Sequence, residues 1–245
     1  VDLRERNEGE NRHPWELARS NFFCSLAKDL ALKHPARVLD VGAGDGWLAE
    51  ELLPAIGPNS SVVCWDIHYS EDDLAEAGAT GAVHRVRELD GGTYDLVLML
   101  DVLEHVEDDV ALLESEILPR LNPGAFVIIS VPVHPALFTY HDIVLAHVRR
   151  YRVREIRALL RRRFDIVVEG SLFTTLLAPR SAQRALELVG VKSRKAGVGG
   201  WSGGPAVTQA LTRVLDADNR INRRLATSRL RPPGLSYWAV IQVSA

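Results

Sequence analysis

Short apolar runs recur along the chain, each broken by a polar or glycine-bearing turn, and alternate with segments of helical period. Runs near 37–41, 61–66, 82–87, 94–100 and 125–131 predict five strands, and segments near 46–56, 106–121 and 152–162 predict helices between or after them. An earlier helix is expected from Pro14, seated in its first turn, to about residue 32. A sixth strand is expected over 164–169 and a seventh over 236–243. Strands separated by helices imply right-handed crossovers and a mostly parallel sheet with helices on both faces. The predicted fold class is therefore α/β, a doubly wound seven-stranded sheet.

The spacing between the last two strands is unusually long. Residues 171–234 hold an amphipathic helix over 172–189, a glycine-rich hinge over 197–204 and a second helix over about 206–227. Ligands of doubly wound sheets bind beyond the carboxyl ends of the strands. One reading makes this insert a lid over that edge, with Trp201 as an apolar contact. The other makes it a helical pair packed on the sheet or a homodimer face. The expected division is an N-terminal helical cap (1–35), a core (36–170 with 235–245) and the helical insert (171–234). Residues 1–13 are polar and expected to be loose, and no internal repeat or low-complexity tract interrupts the pattern.

Candidate chemistry starts at Val38-Leu39-Asp40-Val41-Gly42-Ala43-Gly44-Asp45-Gly46, a buried strand that stops in a glycine turn and opens a helix. Alternate glycines let the backbone turn tightly and bring N–H groups close to a ligand, and the helix N-terminus adds positive potential. About two dozen residues later the second strand ends in Asp66, placed to accept hydrogen bonds from ribose hydroxyls. The turn is not G-x-G-x-x-G, and Asp40 precedes it. A carboxylate there repels a pyrophosphate and attracts an ammonium group, which favours a cationic nucleoside cofactor over NAD.

These segments, with Tyr94-Asp95-Leu96-Val97-Leu98-Met99-Leu100-Asp101-Val102-Leu103-Glu104-His105-Val106 and Leu121-Asn122-Pro123-Gly124-Ala125-Phe126-Val127-Ile128-Ile129-Ser130-Val131-Pro132, resemble the ordered motifs of class I S-adenosylmethionine-dependent methyltransferases over roughly residues 36–170. The resemblance implies a Rossmann-like methyltransferase fold with an antiparallel last strand, and S-adenosyl-L-methionine as cofactor. It places Asp40 near the methionine amino group, Gly42, Ala43 and Gly44 against methionine and ribose, and Asp66 on the ribose hydroxyls, with Ile67 beside it. Glu88 and Leu89 would flank the adenine, and Asp101 and Val102 would line the methionine side. Arg12-His13-Pro14-Trp15-Glu16 and Pro232-Pro233-Gly234-Leu235-Ser236 further resemble a bacterial subgroup found near glycosyltransferase or secondary-metabolite genes. That implies a small-molecule acceptor, a secondary metabolite or a sugar-containing compound.

Acceptor chemistry is expected where the fifth strand ends. His134, Tyr140 and His141 lie there as candidate substrate contacts, with Asp142 as an orienting carboxylate for His141 or as an anchor for Arg149 or Arg150. His105 is a candidate general base, since histidine titrates near neutral pH, or a side chain that packs its helix start. No multi-ligand spacing is evident, so no metal is expected. Direct in-line transfer needs mainly alignment, and the acceptor atom (O, N, C or S) stays open.

Charge narrows the alternatives. A net charge of -3 gives no reason to expect nucleic acid. The arginines between 149 and 163 interleave with Val153, Ile156, Leu159 and Leu160, the pattern of an amphipathic helix with a solvated basic face, or of a site for a phosphate-bearing acceptor. A nucleic-acid or lipid-linked-acceptor methyltransferase, an NAD(P)-dependent oxidoreductase and a catalytically silent binding module are the competing readings. Cys24 and Cys64 lie in apolar segments and suit free thiols of a cytoplasmic protein. Neither a secretory leader nor an apolar run long enough to cross a bilayer is expected.

Overall fold

In the computed structural model, which describes residue 3 and residues 12–76, 81–191, 201–228 and 230–243, the apolar runs form one sheet. Its strands are β1 (Arg37–Val41), β2 (Ser61–Trp65), β3 (Val83–Val86), β4 (Tyr94–Leu100), β5 (Leu121–Pro132), β6 (Asp165–Leu172) and β7 (Ser236–Gln242), in the order β3-β2-β1-β4-β5-β7-β6. β1 to β5 pair in parallel, and β7 runs antiparallel to both β5 and β6. The strand order reverses between β1 and β4, which places the topological switch point beyond Val41 and Leu100.

Period-two alternation sorts side chains onto two faces. Val38, Leu96, Leu98, Trp238 and Val240 pack with Phe22, Phe23, Leu48 and Leu52 on one side. Leu39, Val97, Met99, Ile129 and Tyr237 pack with Ile156 and Leu160 on the other. Each fully buried large aliphatic contributes about 1.5–3 kcal/mol, so both layers are needed to hold the sheet.

The helices are α1 (Pro14–Lys28), α2 (Trp47–Leu52), α3 (Glu71–Ala75), α4 (Asp109–Ala111), α5 (Tyr140–Val144), α6 (Val153–Arg161), α7 (Leu177–Leu188) and α8 (Pro205–Leu225). Several differ from the sequence expectation for identifiable reasons. α1 stops at Lys28 rather than near 32, and Leu30 and Leu32 pack onto the core instead. The helix expected over 106–121 is short: α4 runs into a π-helical turn (Leu112–Ile117) and a 3-10 turn (Leu118–Arg120) where Pro119 withdraws a donor. β5 begins at Leu121, paired with Tyr94, while Asn122 donates to Asp95 at 2.8 Å. α7 starts at 177 because β6 continues to Leu172, and Phe173 then turns at φ +61°. α3 and α5 were not expected; Ser70 with Asp73 and Thr139 with Asp142 form their capping boxes.

The insert divides. α8 is built into the body: Asn21 reaches Asp216 at 3.1 Å, Arg223 pairs with Asp29 at 2.5 Å, and Asn219 accepts the Phe173 amide at 3.1 Å. α7 instead buries none of its residues fully, and its Arg180 and Gln183 line the cavity beyond the strand ends. Half of the hinge expected over 197–204, residues 197–200, lies outside the described residues. Trp201 donates to Thr208 Oγ1 at 2.8 Å and meets His13 edge-on at 5.0 Å. No helix among the described residues is long and apolar enough to cross a membrane.

Candidate functional site

A cavity of about 720 Å³ opens at the switch point, within the size range of small-molecule sites. The glycine turn forms its floor because the chain must leave β1 in left-handed conformations: Gly42, Gly44 and Gly46 have φ of +63°, +58° and +74°. A Cβ on Gly42 would stand 3.1 Å from Val102 Cγ2, so the turn and the end of β4 are in contact. The amides of Gly42 and Ala43 donate to the Trp65 carbonyl at 2.8 and 3.3 Å. The Gly44 amide donates to Asp66 Oδ2 at 3.1 Å and the His68 amide to Asp66 Oδ1 at 3.0 Å. These two bonds fix the Asp66 carboxylate and leave it lone pairs for two further donors.

Asp40 is buried against this floor, and its Oδ2 has no hydrogen-bond partner among the described residues. Burial, aided by the charges of Asp45 and Asp66 and opposed by Arg19, pushes its carboxyl up to about 7. A buried unpaired acceptor is costly, and a cationic ligand relieves that cost. Asp101 sits at φ +59°, receives Ser130 Oγ at 3.1 Å and pairs with Arg19 at 2.9 Å. Arg19 also donates to the Leu100 carbonyl at 2.7 Å, and Arg12 pairs with Asp45 at 2.6 Å while lying 4.2 Å above the Trp47 ring. The first helix is thereby fastened to both strand ends that form the floor.

The opposite side is ionic. Asp142, fully buried, receives His147 Nδ1 at 3.0 Å, Arg150 Nε at 2.7 Å, Arg180 at 2.6 Å and the Thr139 amide at 2.8 Å. Burial alone would raise this carboxyl, but its bonds to His147, Arg150, Thr139 and Arg180 hold it well below the usual carboxylate range. Glu104 is fully buried with both carboxylate oxygens unpartnered among the described residues, and burial together with Asp101 raises its carboxyl well above the ordinary value. Burial and Arg180 lower His141 to about 4, so its ring is neutral near pH 7.

Of the residues singled out in the sequence, Asp40, Gly42, Ala43, Asp66, Ile67, Asp101, Val102, His105 and His141 line the cavity. Gly44 supports it from behind through Asp66. Five others lie elsewhere. His134, at φ +64°, turns away to the Gly234 carbonyl at 3.1 Å, because β5 ends in a bend that ties down the segment before β7. Tyr140 is half exposed on the outside of α5, and Glu88 and Leu89 lie past the short β3, outside the lining. Trp201 is likewise outside it. The histidine bonded to Asp142 is His147, five residues on, because the capping box aims Asp142 across α5.

Sequence reasoning missed Arg19, Trp65, His68 and Arg180, which line the cavity together with Trp15 of the N-terminal Arg12–Glu16 segment and His147 of the histidine-rich stretch after β5. Only Trp65, next to Asp66, carried a signal in its position. The basic run is largely consumed in pairs: Arg149 with Asp109 at 3.3 Å, Arg157 with Glu169 at 2.8 Å and Arg163 with Glu114 at 2.6 Å.

Comparison with known proteins agrees with this geometry. The structure is similar to the plantazolicin methyltransferase BpumL in complex with a monoazolic desmethylPZN analog and SAH (16% identity, 95% of this chain and 85% of that one, TM-score 0.53). It is also similar to coclaurine N-methyltransferase bound to N-methylheliamine and SAH (12% identity, 92% and 70%, TM-score 0.57). Against an O-methyltransferase family protein from Burkholderia thailandensis (17% identity, TM-score 0.50) the match covers 63% of this chain, which spans 54% of that protein's length. At these identities the likeness establishes the fold. No curated protein matches the chain. The profile of the methyltransferase domain family matches residues 15–167, well over half of the chain, and the protein belongs to that family.

Proposed function

We propose that the protein transfers the methyl group of S-adenosyl-L-methionine to a small-molecule acceptor, a secondary metabolite or sugar-containing compound. The observation that carries this reading is the unpartnered Asp40 oxygen beside the glycine turn, with Asp66 fixed one strand away. An ammonium on one side of the cofactor and a ribose diol on the other match those two carboxylates. The solved structures that carry SAH have the same fold and support the cofactor's identity.

In this reading the acceptor atom attacks the methyl carbon in line. The new bond to carbon forms as the carbon–sulfur bond breaks, sulfur keeps the electron pair, and S-adenosylhomocysteine leaves. The acceptor's proton passes to solvent or to a neutral histidine on the cavity wall. The sulfonium is already activated, so the chain contributes mainly alignment, up to about 7–11 kcal/mol of barrier. Arg157 and Arg161 of α6 pair with Glu169, and Arg163 just beyond it pairs with Glu114, which reduces the free positive charge on this face and supports a small acceptor over nucleic acid. A cytoplasmic protein acting alone or as a homodimer fits this chemistry.

Calorimetric titration with S-adenosylhomocysteine, with NAD as control, tests the reading. Binding of S-adenosylhomocysteine that Asp66→Ala weakens is the expected result. Binding of NAD in preference, or of neither, overturns it.

A further inference from the structure

On the acceptor side of the cavity, three donor-bearing residues converge from segments far apart in sequence. Glu104 and His105 lie in the turn after β4, and His147 follows α5. One ligand atom of each lies within 4.8 Å of the other two, and His147 Nε2 stands 4.0 Å from Glu104 Oε1. Two independent features give this cluster the character of a site. Glu104 is fully buried, yet neither carboxylate oxygen has a hydrogen-bond partner among the described residues, although Arg19 and Arg150 are close enough to act on its charge. The other nitrogen of His147, Nδ1, is held at 3.0 Å by the buried Asp142, whose carboxylate is itself fixed by Arg150 and Arg180. A carboxylate on the far nitrogen fixes ring orientation and tautomer, and raises the basicity of the nitrogen that faces inward.

We propose that Glu104, His105 and His147 bind a first-row divalent metal ion, with Asp142 positioning His147. Two imidazoles and one carboxylate suit zinc, iron, cobalt, nickel or manganese rather than magnesium or calcium. Bonds of about 2.0–2.2 Å require the donors to close by roughly 1 Å, within reach of side-chain rotation on a cavity wall. Three protein ligands leave positions open toward the cavity. There the ion takes oxygen donors and lowers the proton affinity of a bound hydroxyl. That last role rests on the methyl-transfer reading: it specifies an acceptor that carries a hydroxyl beside a second oxygen. Ion binding itself does not depend on that reading.

The test uses tag-free, metal-stripped protein titrated with cobalt(II), read by visible d–d absorption and by calorimetry. One cobalt per chain is expected, with affinity reduced at least tenfold in Glu104→Gln and in His147→Ala but unchanged in His84→Ala, an exposed histidine on β3. Circular dichroism confirms that each variant is folded, and Glu104→Gln keeps the side-chain volume. Failure of the parent chain to bind cobalt, or equal affinity in all variants, overturns the site. The same samples are titrated with S-adenosylhomocysteine. Cofactor binding without cobalt binding rejects the metal site alone, and the converse rejects the methyl-transfer reading alone.

Discussion

Asp66 Oδ2 lies 3.1 Å from the amide nitrogen of Gly44, so the tip of β2 holds the shape of a turn that belongs to β1. The same carboxylate is offered to the ligand, and one residue thus serves both the turn and the site. Asp66→Ala is expected to weaken S-adenosylhomocysteine binding by about 10–100-fold, the loss of one or two hydrogen bonds to a charged group. Asp66→Asn, which keeps an acceptor for the Gly44 amide, is expected to lose less. Calorimetry on both variants measures the difference.

Gly42→Ala tests the turn without touching a polar group. Its φ of +63° and the 3.1 Å approach to Val102 Cγ2 make any side chain strained there. A loss of about 1–3 kcal/mol in urea unfolding is expected, together with weakened cofactor binding. Unchanged stability would show that the backbone at this point relaxes freely.

Asp40 predicts opposite pH trends for folding and for binding. Its native carboxyl is raised to about 7, so the ligand-free protein holds this proton to higher pH than the unfolded chain does. Its ionisation therefore costs stability as pH rises from about 4 toward 7. A ligand ammonium needs the ionised form, so affinity for S-adenosylhomocysteine should rise by about tenfold per pH unit up to that value and then level off. Asp40→Asn should flatten both profiles and lower affinity at neutral pH. Titrations at several pH values, paired with thermal melts, read both effects.

Asp142 behaves in the reverse sense. Its carboxyl is depressed in the folded state, so its contribution to stability is present above the unfolded carboxylate value of about 3.9 and is lost as pH falls through the native one. Asp142→Ala leaves Arg150 and Arg180 without their buried partner and is expected to cost about 3–5 kcal/mol. Urea unfolding at neutral pH measures that loss.

Glu88→Ala and Tyr140→Phe are expected to leave cofactor affinity within about twofold and stability within about 0.5 kcal/mol, since both side chains lie outside the cavity lining. A larger loss of affinity in Glu88→Ala would return this residue to the adenine side.

The cofactor floor was legible because its signals are local. The strand, the glycine turn and Asp66 fall within thirty residues, and turn geometry follows from residue type. All seven strands were legible for the same reason, as short apolar runs. The opposite side was legible only in part: the anchoring of Arg150 by Asp142 was among the readings, and its other partners were not. His147 and Asp142 meet across α5, a five-residue helix with too few positions to show a period, and Arg180 reaches them from 38 residues further along. His134 and His141 carry equal chemical promise in the sequence; the left-handed turn at His134 sends one ring outward, and nothing in residue type announces that bend. The helix expected over 106–121 fragmented because Pro119 and the early start of β5 outweighed its apolar period.

The insert before β7 joins two segments under different constraints. α8 supplies Leu215, Asp218, Asn219 and Asn222 to the buried interior and braces α1, which in turn holds both strand ends at the floor. α7 buries nothing fully and reaches the rest of the protein largely through polar contacts, chief among them Arg180 on Asp142. Sequence change in α7 can therefore redraw the shape offered to an acceptor at little cost to folding, whereas change in α8 reaches the cofactor floor through α1. The cavity wall and the integrity of the fold thus draw on separate stretches of one insertion.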